Sequence, residues 1–499
     1  MGHISRHSGV LFAGTIFSAV LGYIFKVYLA RVLGAEALGI YALGFTLVGF
    51  IGVFNSLGLV ESAVRFAAVY RAANKLESLR ALLWRGGAVL LVMNILFAAI
   101  FLRLGRVVAL RFYHSPALVQ YLPWFAGLML LGVISTFYGR ILAGYKEVGR
   151  RTVITNFVGS PATMLLGVIL ISLGWGLRGY LLAQVLGSVL VIVLLLAWVW
   201  KLTPRESRFS FRRPVPLGRE VWAFSAAAMG VLLLGFLMGQ VDKVALGFYL
   251  GARNVGVYSV AAAVVAYMNL VLNSVNQVFS PIIADLHTRG ESAMLARLYQ
   301  ALTKWALGLT LPLAVVVMIY ARPLMRIFGP DFESGWPILI IGTLGQLVNC
   351  SVGSAGLLLL MSGNQNRLLR VQATMTAVMT VASICLVPIW GIVGAAVAAA
   401  ITNAGTNVLN LLQVRRALGL SPYSRGYVRL LIPTVAAVII ALVFKREANI
   451  FRHDWVAIGL SLLGGYLVFA GITLALGLDE DDRLIAGAMW ARLRRSVPN

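Results

Sequence analysis

Three ionisable side chains stand inside apolar stretches of this sequence, where a charge is costly unless it has a role or a partner. Lys26 lies in one such stretch, and Asp242 and Lys243 lie together in another. A lysine ammonium is a compact cation that binds anions, whereas a buried carboxylate closes a gate with a lysine or carries a proton or sodium ion. Two structural roles stay open: each lysine reaches outward to the head groups, or Asp242 pairs with its neighbour.

A second acid–base pair stands near the edge of an apolar stretch. Glu61 and Arg65 are four residues apart and therefore share one face of a helix. The pair has two interpretations. It forms an inner latch or meets an incoming anion, or it is an ordinary ion pair at the membrane surface.

Side-chain amides recur at helical spacing in two apolar stretches. One face of the first stretch carries Asn269, Asn273, Asn276, Gln277 and Ser280, and one face of the second carries Asn403, Thr406, Asn407, Asn410 and Gln413. Asn55 echoes Asn273 at a distance of 218 residues, and Gln346 and Asn349 form a shorter pair. Amides suit hydroxyls and water, but they also join helices within a membrane. The sequence therefore predicts either a polar cavity lining or interhelical contacts.

The elements that carry these residues are apolar helices. The chain has 499 residues, of which 60% are hydrophobic and 12% charged, so it is a polytopic membrane protein of the all-α class. Apolar stretches of spanning length number about fourteen. They lie near 9–30, 36–58, 86–104, 118–139, 152–174, 177–200, 222–250, 255–281, 303–320, 336–361, 369–388, 391–413, 427–444 and 454–476.

The positive charges indicate the orientation of these helices. With the N-terminus in the cytoplasm, 29 of the 42 Lys and Arg residues fall on the cytoplasmic side and 11 on the other, with Lys26 and Lys243 inside spans. This bias follows the positive-inside rule and predicts that both termini are cytoplasmic. The net charge of +25 is thus an orientation signal and an attraction to anionic membrane lipids, not a sign of nucleic-acid binding.

The chain also contains an internal repeat. Residues 22–41 and 239–258 share nine identities in twenty positions at a shift of 217 residues, with Lys26 aligned to Lys243. The repeat predicts two parallel lobes of six helices in pseudo-two-fold relation, plus two C-terminal helices. The predicted division is an N-terminal lobe at 1–200, a basic cytoplasmic linker at 201–221, a C-terminal lobe at 222–420, and two helices with a cytoplasmic tail at 421–499.

Several chemistries lack the residues they need. The five histidines and two cysteines have no ligand spacing, so no metal site is expected, and no GxxxxGK[ST] motif occurs. The acidic run 479–483 suits the start of a short amphipathic tail helix better than a metal-binding carboxylate cluster. We therefore expect neither enzymatic activity nor a cofactor.

Four stretches carry a family resemblance. They are "YLARVLGAEALGIYAL" (28–43), "GLVESAVRF" (58–66), "QVDKVALGFYLGARNVGVYSVA" (240–261) and "PIWGIVGAAVAAAI" (388–401). With them the sequence resembles the polysaccharide-repeat flippases of the O-antigen type. These belong to the superfamily that also holds the peptidoglycan-lipid flippase and the multidrug extruders.

The resemblance implies a function and a setting. The protein would flip a polyprenyl-pyrophosphate-linked oligosaccharide from the cytoplasmic to the outer leaflet of the cell (inner) membrane by alternating access, as a monomer alongside polysaccharide polymerase machinery. An H⁺ or Na⁺ gradient would drive it. Lys26, Lys243 and Arg65 would then bind phosphate in a cationic central cavity, with Asn55, Asn273, Asn276, Gln277 and Asn407 on the glycan and Asp242 and Glu61 in coupling or gating.

Other functions remain open at this point. A peptidoglycan-lipid flippase or a multidrug extruder of the same superfamily is the nearest alternative, although the intramembrane lysines and the two extra spans count against an extruder. A membrane glycan polymerase or ligase is more remote, because it would need a long outer loop with catalytic residues.

Overall fold

A computed structural model describes residues 2–204, 216–447 and 454–477 as a set of helices. The linker stretch 205–215, the residues 448–453, and the tail with its acidic run 479–483 lie outside the described residues. We number the α-helices α1 to α18 in chain order. Their bounds are Gly2–Asn55, Leu59–Ala72, Leu76–Ala81, Gly87–Val107, Pro116–Val119, Leu122–Gly144, Val148–Thr152, Ser160–Leu170, Gly176–Leu202, Arg219–Tyr267, Asn269–Thr288, Ser292–Ile319, Ala321–Arg326, Trp336–Val352, Ala355–Met361, Gln365–Leu418, Leu431–Arg446 and Asp454–Ala475.

Short helical segments of other kinds connect several of these helices. Four are π-helical, and two are 3-10 helices. The π-helical segments are Leu82–Gly86, Val108–Phe112, Val153–Gly159 and Ile171–Trp175, and the 3-10 segments are Pro330–Gly335 and Arg425–Leu430.

Ten continuous helical stretches within the described residues are long and apolar enough to cross a membrane. Four of them have 39, 55, 36 and 54 residues, whereas about twenty residues suffice for one crossing; a fifth, Leu76–Phe112, has 37 residues and contains no glycine with positive φ. Each of the four contains a glycine with positive φ: Gly34 at 79°, Gly174 at 86°, Gly251 at 77° and Gly391 at 60°. These interruptions fall where the sequence predicts a junction between two spans. The polytopic all-α fold is therefore confirmed, with ten continuous stretches in place of fourteen separate ones.

The helix of the second predicted span, 36–58, is interrupted and a further helix follows it. Helix α1 ends at Asn55, and α2, Leu59–Ala72, begins after a turn with positive φ at Leu57 and Gly58. The eighth predicted span behaves in the same way, because α10 ends at Tyr267 and α11 continues to Thr288. Charged residues in α2 and near the end of α11 lower the mean hydropathy there, so apolar length alone does not predict the full extent of these helices.

The chain divides into two compact units. Unit 1 comprises residues 1–240 and 247–256, and unit 2 comprises residues 241–246 and 257–499. Helix α10 contributes to both, and the residues after its kink at Gly251 pass from unit 1 to unit 2. The lobe boundary at 201–221 rests on the repeat and stays a prediction.

The core of unit 1 is built around α2. Its buried face, which includes Leu59, Ala63 and Phe66, packs with residues of α6 and α9. The start of α10 packs there as well, since the hydroxyls of Ser62 and Ser225 are 2.6 Å apart and the Tyr70 hydroxyl donates to Glu220 over 3.0 Å. Small residues at these crossings let the helix backbones approach closely.

The two copies of the repeat meet within unit 1 at small residues. A Cβ atom on Gly39 would lie 1.7 Å from the carbonyl oxygen of Ala252, and one on Gly256 would lie 1.9 Å from that of Ala35. Gly39 aligns with Gly256 and Ala35 with Ala252, so the contact is reciprocal, as a two-fold relation between the copies requires. The close crossing explains why the repeat retains these small residues.

Gly39→Ala is expected to destabilise the protein by about 1–3 kcal/mol, because the added methyl group would overlap a backbone carbonyl that cannot rotate away. Gly52→Ala is the matched control on α1, since nothing lies within 4 Å of its Cβ position. The control should be neutral or slightly stabilising, because alanine is the better helix former. Thermal unfolding of both purified variants tests this; equal melting temperatures would show that the crossing is not tight.

Unit 2 has its core where α11, α12, α14, α15 and α16 meet. Gly345 of α14 allows close approach to α16, because its Cβ position lies 3.1 Å from the Cα of Ala400. The two helices outside the repeat, α17 and α18, pack on each other and on α12. The buried Tyr320 hydroxyl is 2.8 Å from that of Ser461, and Tyr466 donates to the Leu309 carbonyl over 2.7 Å. The C-terminal pair is thus an integral part of unit 2.

Candidate functional site

An amide cluster joins three helices of unit 2. Asn269, at the start of α11, accepts hydrogen bonds from Gln346 Nε2 over 2.6 Å and from Asn349 Nδ2 over 2.9 Å, both on α14. Asn403 of α16 reaches the Gln346 side-chain oxygen over 3.4 Å, and Asn407 Nδ2 donates to Asn403 Oδ1 over 3.2 Å. Asn269 from the first stripe and Asn403 and Asn407 from the second therefore form one network with the shorter pair on α14.

The local sequence explains this placement. The break at Met268 between α10 and α11 brings Asn269 to a helix start, and Gln346 and Asn349 are three residues apart on one face of α14. Gln346 is only 1% exposed, while Asn269, Asn349 and Asn407 are half-buried. The cluster both fastens the helices and presents donors and acceptors without net charge. Such groups can bind hydroxyls.

The rest of the α11 stripe is divided. Asn276 is hydrogen-bonded to Ser354, and Ser280 lies 3.6 Å from the sulfur of Met361. Asn273 is exposed, and the side chain of Gln277 lies outside the described part of the structure. The stripe therefore combines side chains fixed by neighbouring helices with one that is accessible.

Asp242 is held by two donors within unit 2. The Tyr258 hydroxyl donates to Asp242 Oδ2 over 2.6 Å, and the backbone N–H of Lys243 donates to Oδ1 over 2.8 Å. The aspartate is 8% exposed and lies in a helical stretch of membrane-spanning character. Sequence reasoning missed Tyr258 as its partner, although the repeat singles this residue out as the counterpart of Tyr41.

The two intramembrane lysines belong to different units. Lys26 lies in unit 1 on α1, and Lys243 lies in unit 2 on α10. Both are half-buried and both take part in polar or electrostatic contacts. Their meeting in one cationic cavity stays a prediction.

Asn55 lies in the core of unit 1. It is 0% exposed, and its Nδ2 donates to Asn94 Oδ1 over 2.7 Å, while Asn94 Nδ2 donates to the Leu90 carbonyl over 2.7 Å. These hydrogen bonds fit the interhelical role, and glycan binding by Asn55 stays a prediction. Asn94, which sequence reasoning missed, is an isolated amide in an otherwise apolar span.

Glu61 and Arg65 have separate partners. Glu61 forms an ion pair with Arg140 of α6, with 2.7 Å between the guanidinium nitrogen and the carboxylate oxygen. The sequence did not single out Arg140. The guanidinium of Arg65, an exposed residue, lies 4.8 Å from the ring centroid of Phe224. Helical spacing places Glu61 and Arg65 on one face, but the packing of α2 on α6 supplies a better-placed cation for Glu61. The ion pair between Glu61 and Arg65, one of the two interpretations of this motif, is therefore corrected, whereas their roles in gating and phosphate binding stay predictions.

Comparisons with known proteins place the whole chain in context. A family model described as "Polysaccharide biosynthesis protein" matches residues 4–287, which is more than half of the chain. An uncharacterized membrane protein of Methanocaldococcus jannaschii is 21% identical over 366 residues, covering 69% of this chain and 71% of that protein.

Solved structures share the fold. The lipid II flippase MurJ in an inward closed conformation matches with a TM-score of 0.74 and 14% identity, over 94% of this chain and 98% of that one. A multidrug resistance MATE family transporter of the MOP superfamily, in an inward-facing conformation, matches with a TM-score of 0.64 and 17% identity, over 80% and 94%. At these identities the likeness is one of fold.

Proposed function

Because the chain belongs to the polysaccharide biosynthesis protein family, we propose that it is a flippase for a lipid-linked oligosaccharide. The cargo is a glycan on a polyprenyl pyrophosphate, which moves from the cytoplasmic to the outer leaflet by alternating access. The observation that carries the proposal is the amide cluster of unit 2, an uncharged network of donors and acceptors among membrane-spanning helices. A glycan crossing hydrocarbon needs such partners for its hydroxyls.

The pyrophosphate needs a different partner. An isolated charge at the bilayer centre costs about 3 kcal/mol on insertion scales and more in simulations. We propose that Lys26 and Lys243 offset this cost as fixed cations, and that Arg65 meets the phosphate near the inner surface. The pyrophosphate then leaves water for contact with ammonium groups rather than with hydrocarbon.

An ion gradient supplies the energy in this proposal. The coupling ion is H⁺ or Na⁺, and its site is Asp242. The Tyr258 hydroxyl and the Lys243 N–H hold the carboxylate in one geometry, and a cation that binds the carboxylate must compete with them. An ion that binds one conformation better than the other shifts the balance between them. Glu61, held by Arg140 at 2.7 Å, is the second candidate for gating.

The setting follows from the same proposal. The protein acts in the cell (inner) membrane with both termini in the cytoplasm, as the distribution of Lys and Arg predicts. It works as a monomer, without a cofactor, and delivers its cargo to polysaccharide polymerase machinery on the outer side.

Leaflet-resolved transport in proteoliposomes tests the proposed function. A fluorescent polyprenyl-pyrophosphate glycan should become accessible to a membrane-impermeant glycosidase only in vesicles that contain the protein, and faster under an imposed H⁺ or Na⁺ gradient. Lipid II and a cationic drug serve as alternative cargoes in matched vesicles. Flipping of lipid II alone, or export of the drug alone, would overturn the proposed substrate class.

Asn269→Leu is expected to slow flipping of the glycan-bearing lipid about tenfold, because it removes the acceptor that orients Gln346 and Asn349. A tenfold change corresponds to about 1.4 kcal/mol, the scale of one interhelical hydrogen bond. Ser351→Ala is the matched control, since among the described residues its hydroxyl bonds only to the Val348 carbonyl of its own helix, over 2.8 Å. Equal rates for the two variants would remove the cluster from the transport path.

A further inference from the structure

Unit 1 contains a cavity that none of the site residues predicted above lines. Its volume is about 270 Å³, and it lies among α1, α6, α8, α9 and the π-helical segment Val153–Gly159. Two aromatic side chains, Phe25 and Tyr180, form part of its wall, with ring centroids 5.7 Å apart. The polar lining consists of Ser135, Thr155, Ser160, Thr163, Gln184 and Ser188.

The local backbone builds the polar side of this cavity. The π-helical segment inserts extra residues into a helix, a feature that is frequent at functional sites. It places Thr155 and Ser160, five residues apart, next to each other, so that Ser160 Oγ donates to the Thr155 carbonyl over 3.0 Å. On the opposite wall a Cβ atom on Gly187 would lie 1.8 Å from Thr163 Oγ1. The absence of a side chain at Gly187 therefore makes room for the Thr163 hydroxyl.

Several lining groups have hydrogen-bonding capacity to spare. Gln184 Nε2 donates to the Tyr41 hydroxyl over 2.6 Å, but Gln184 Oε1 is buried and has no hydrogen-bond partner within the described residues. A buried acceptor without a partner costs about 1–3 kcal/mol. The hydroxyls of Ser135, Thr163 and Ser188 likewise make no hydrogen bond within the part of the chain that the structure describes. A ligand with several donors and acceptors would satisfy the three hydroxyls.

The lining defines the chemistry of that ligand. Hydroxyl and amide groups line the cavity together with aromatic rings, and none of the described side chains in its lining is charged. A phosphate would find no cation there, and a lipid tail would leave the hydroxyls unsatisfied. A neutral sugar has hydroxyls for the polar wall and C–H faces for Phe25 and Tyr180. A single ring suits this volume of about 270 Å³, which is just below the range of about 300–1,000 Å³ for drug-sized ligands.

We propose that this cavity binds one neutral sugar ring of the glycan while the rest of the cargo stays outside unit 1. The inference rests on the proposed function for the source of the sugar. The cavity would thus select glycans by the identity of one residue: an uncharged hexose or N-acetylhexosamine fits, and a uronic acid is rejected because no cation lines the wall.

Binding of free sugars to the purified full-length protein tests the proposal without any transport. Saturation-transfer NMR is measured with methyl hexosides, methyl N-acetylhexosaminides and methyl glucuronide as probes. At least one neutral glycoside should bind, with an affinity about tenfold above that of the glucuronide. Ser135→Ala combined with Thr163→Val should lower this affinity about tenfold, and Gln184→Leu should do the same by a separate route.

Thr136→Val is the matched control. Thr136 is the neighbour of Ser135 on α6, but it is exposed and its hydroxyl bonds to the Gly132 carbonyl of its own helix over 2.7 Å. The affinity of the Thr136→Val variant for the sugar should equal that of the unmodified protein. Loss of binding in this control to the same degree, or unchanged binding in both cavity variants, overturns the proposal.

The outcome is separable from that of the proposed function. Sugar binding that is lost in the cavity variants supports the cavity site even if the proteoliposomes flip no glycolipid. Conversely, vesicles that flip the glycolipid while no neutral glycoside binds at millimolar concentration overturn the cavity site and leave the flippase proposal standing.

Discussion

Lys26→Ala is expected to abolish transport of the pyrophosphate-linked glycan, with a loss of at least a hundredfold in the rate of flipping. Lys26 stands in a helical stretch of membrane-spanning character and is half-buried there. Without the Lys26 ammonium, the pyrophosphate again bears the full cost of leaving water for the membrane interior, about 3 kcal/mol or more. Since each 1.4 kcal/mol corresponds to a factor of ten, the expected loss exceeds two decades. Lys26→Arg, which keeps the charge, should retain part of the rate.

The control for this variant is Lys75→Ala, a lysine that is exposed between α2 and α3. It should flip at the normal rate. Both variants are compared at equal amounts of inserted protein, because Lys26 has contacts within the structure and its loss could affect folding. Flipping by correctly inserted Lys26→Ala within about twofold of the normal rate would exclude a phosphate-binding role.

Lys243 provides an independent repetition of the same experiment. It occupies the aligned position in the second copy of the repeat and is also half-buried. If the two cations share the pyrophosphate, each single variant should lose most of the rate, and the double variant should lose little more. Effects that multiply would indicate that the lysines act on separate steps.

Asp242→Asn is expected to uncouple flipping from the ion gradient. The carboxylate is buried, and its oxygens accept hydrogen bonds from the Tyr258 hydroxyl and the Lys243 N–H. Asparagine has nearly the same shape and keeps a side-chain oxygen for Tyr258, so the local packing should persist while the charge is lost. The acceleration by an imposed H⁺ or Na⁺ gradient should therefore disappear, while slow equilibration of the glycolipid between leaflets remains.

Asp285→Asn is the control for the loss of a carboxylate as such. Asp285 is exposed on α11 and pairs with Arg289 over 2.9 Å, one turn further along the helix. Its variant should respond to the gradient as the unmodified protein does. A normal rate and a normal gradient response in Asp242→Asn would assign Asp242 a structural role.

Tyr258→Phe separates the effect of the Asp242 charge from the effect of the hydrogen bond that Tyr258 donates to it. It removes one of the two donors that hold the carboxylate but leaves the charge in place. The gradient response should persist and shift to a different ion concentration, because the ion competes with one donor fewer. A response lost as completely as in Asp242→Asn would indicate that the phenol itself belongs to the ion site.

The sequence alone determined the membrane-spanning elements and the positions of the breaks between them. Apolar length indicates a span, because a helix of about twenty consecutive apolar residues matches the thickness of the hydrocarbon core of a bilayer. The repeat places a glycine at Gly34 and again at Gly251, and both adopt positive φ at a junction between spans. Apolar length is a local property of the chain, and about twenty residues suffice to recognise it.

Helical periodicity also identified the polar faces, but it did not reveal their partners. The stripe beginning at Asn269 and the stripe beginning at Asn403 were evident from a spacing of three or four residues. That both would converge on Gln346 depended on which face of α14 turns toward them. Periodicity shows which residues share a face, whereas helix packing decides what that face meets.

The tertiary structure therefore decided the partner of each ionisable and amide group. It gave Arg140 to Glu61, Asn94 to Asn55 and Tyr258 to Asp242, across separations of 79, 39 and 16 residues. It also gathered hydroxyls from four segments of unit 1 around one cavity, although each serine or threonine alone is ordinary in a membrane helix. Such partnerships arise because a polar group inside a membrane must find its hydrogen bonds within the protein, and only the packing of whole helices settles which groups come within reach.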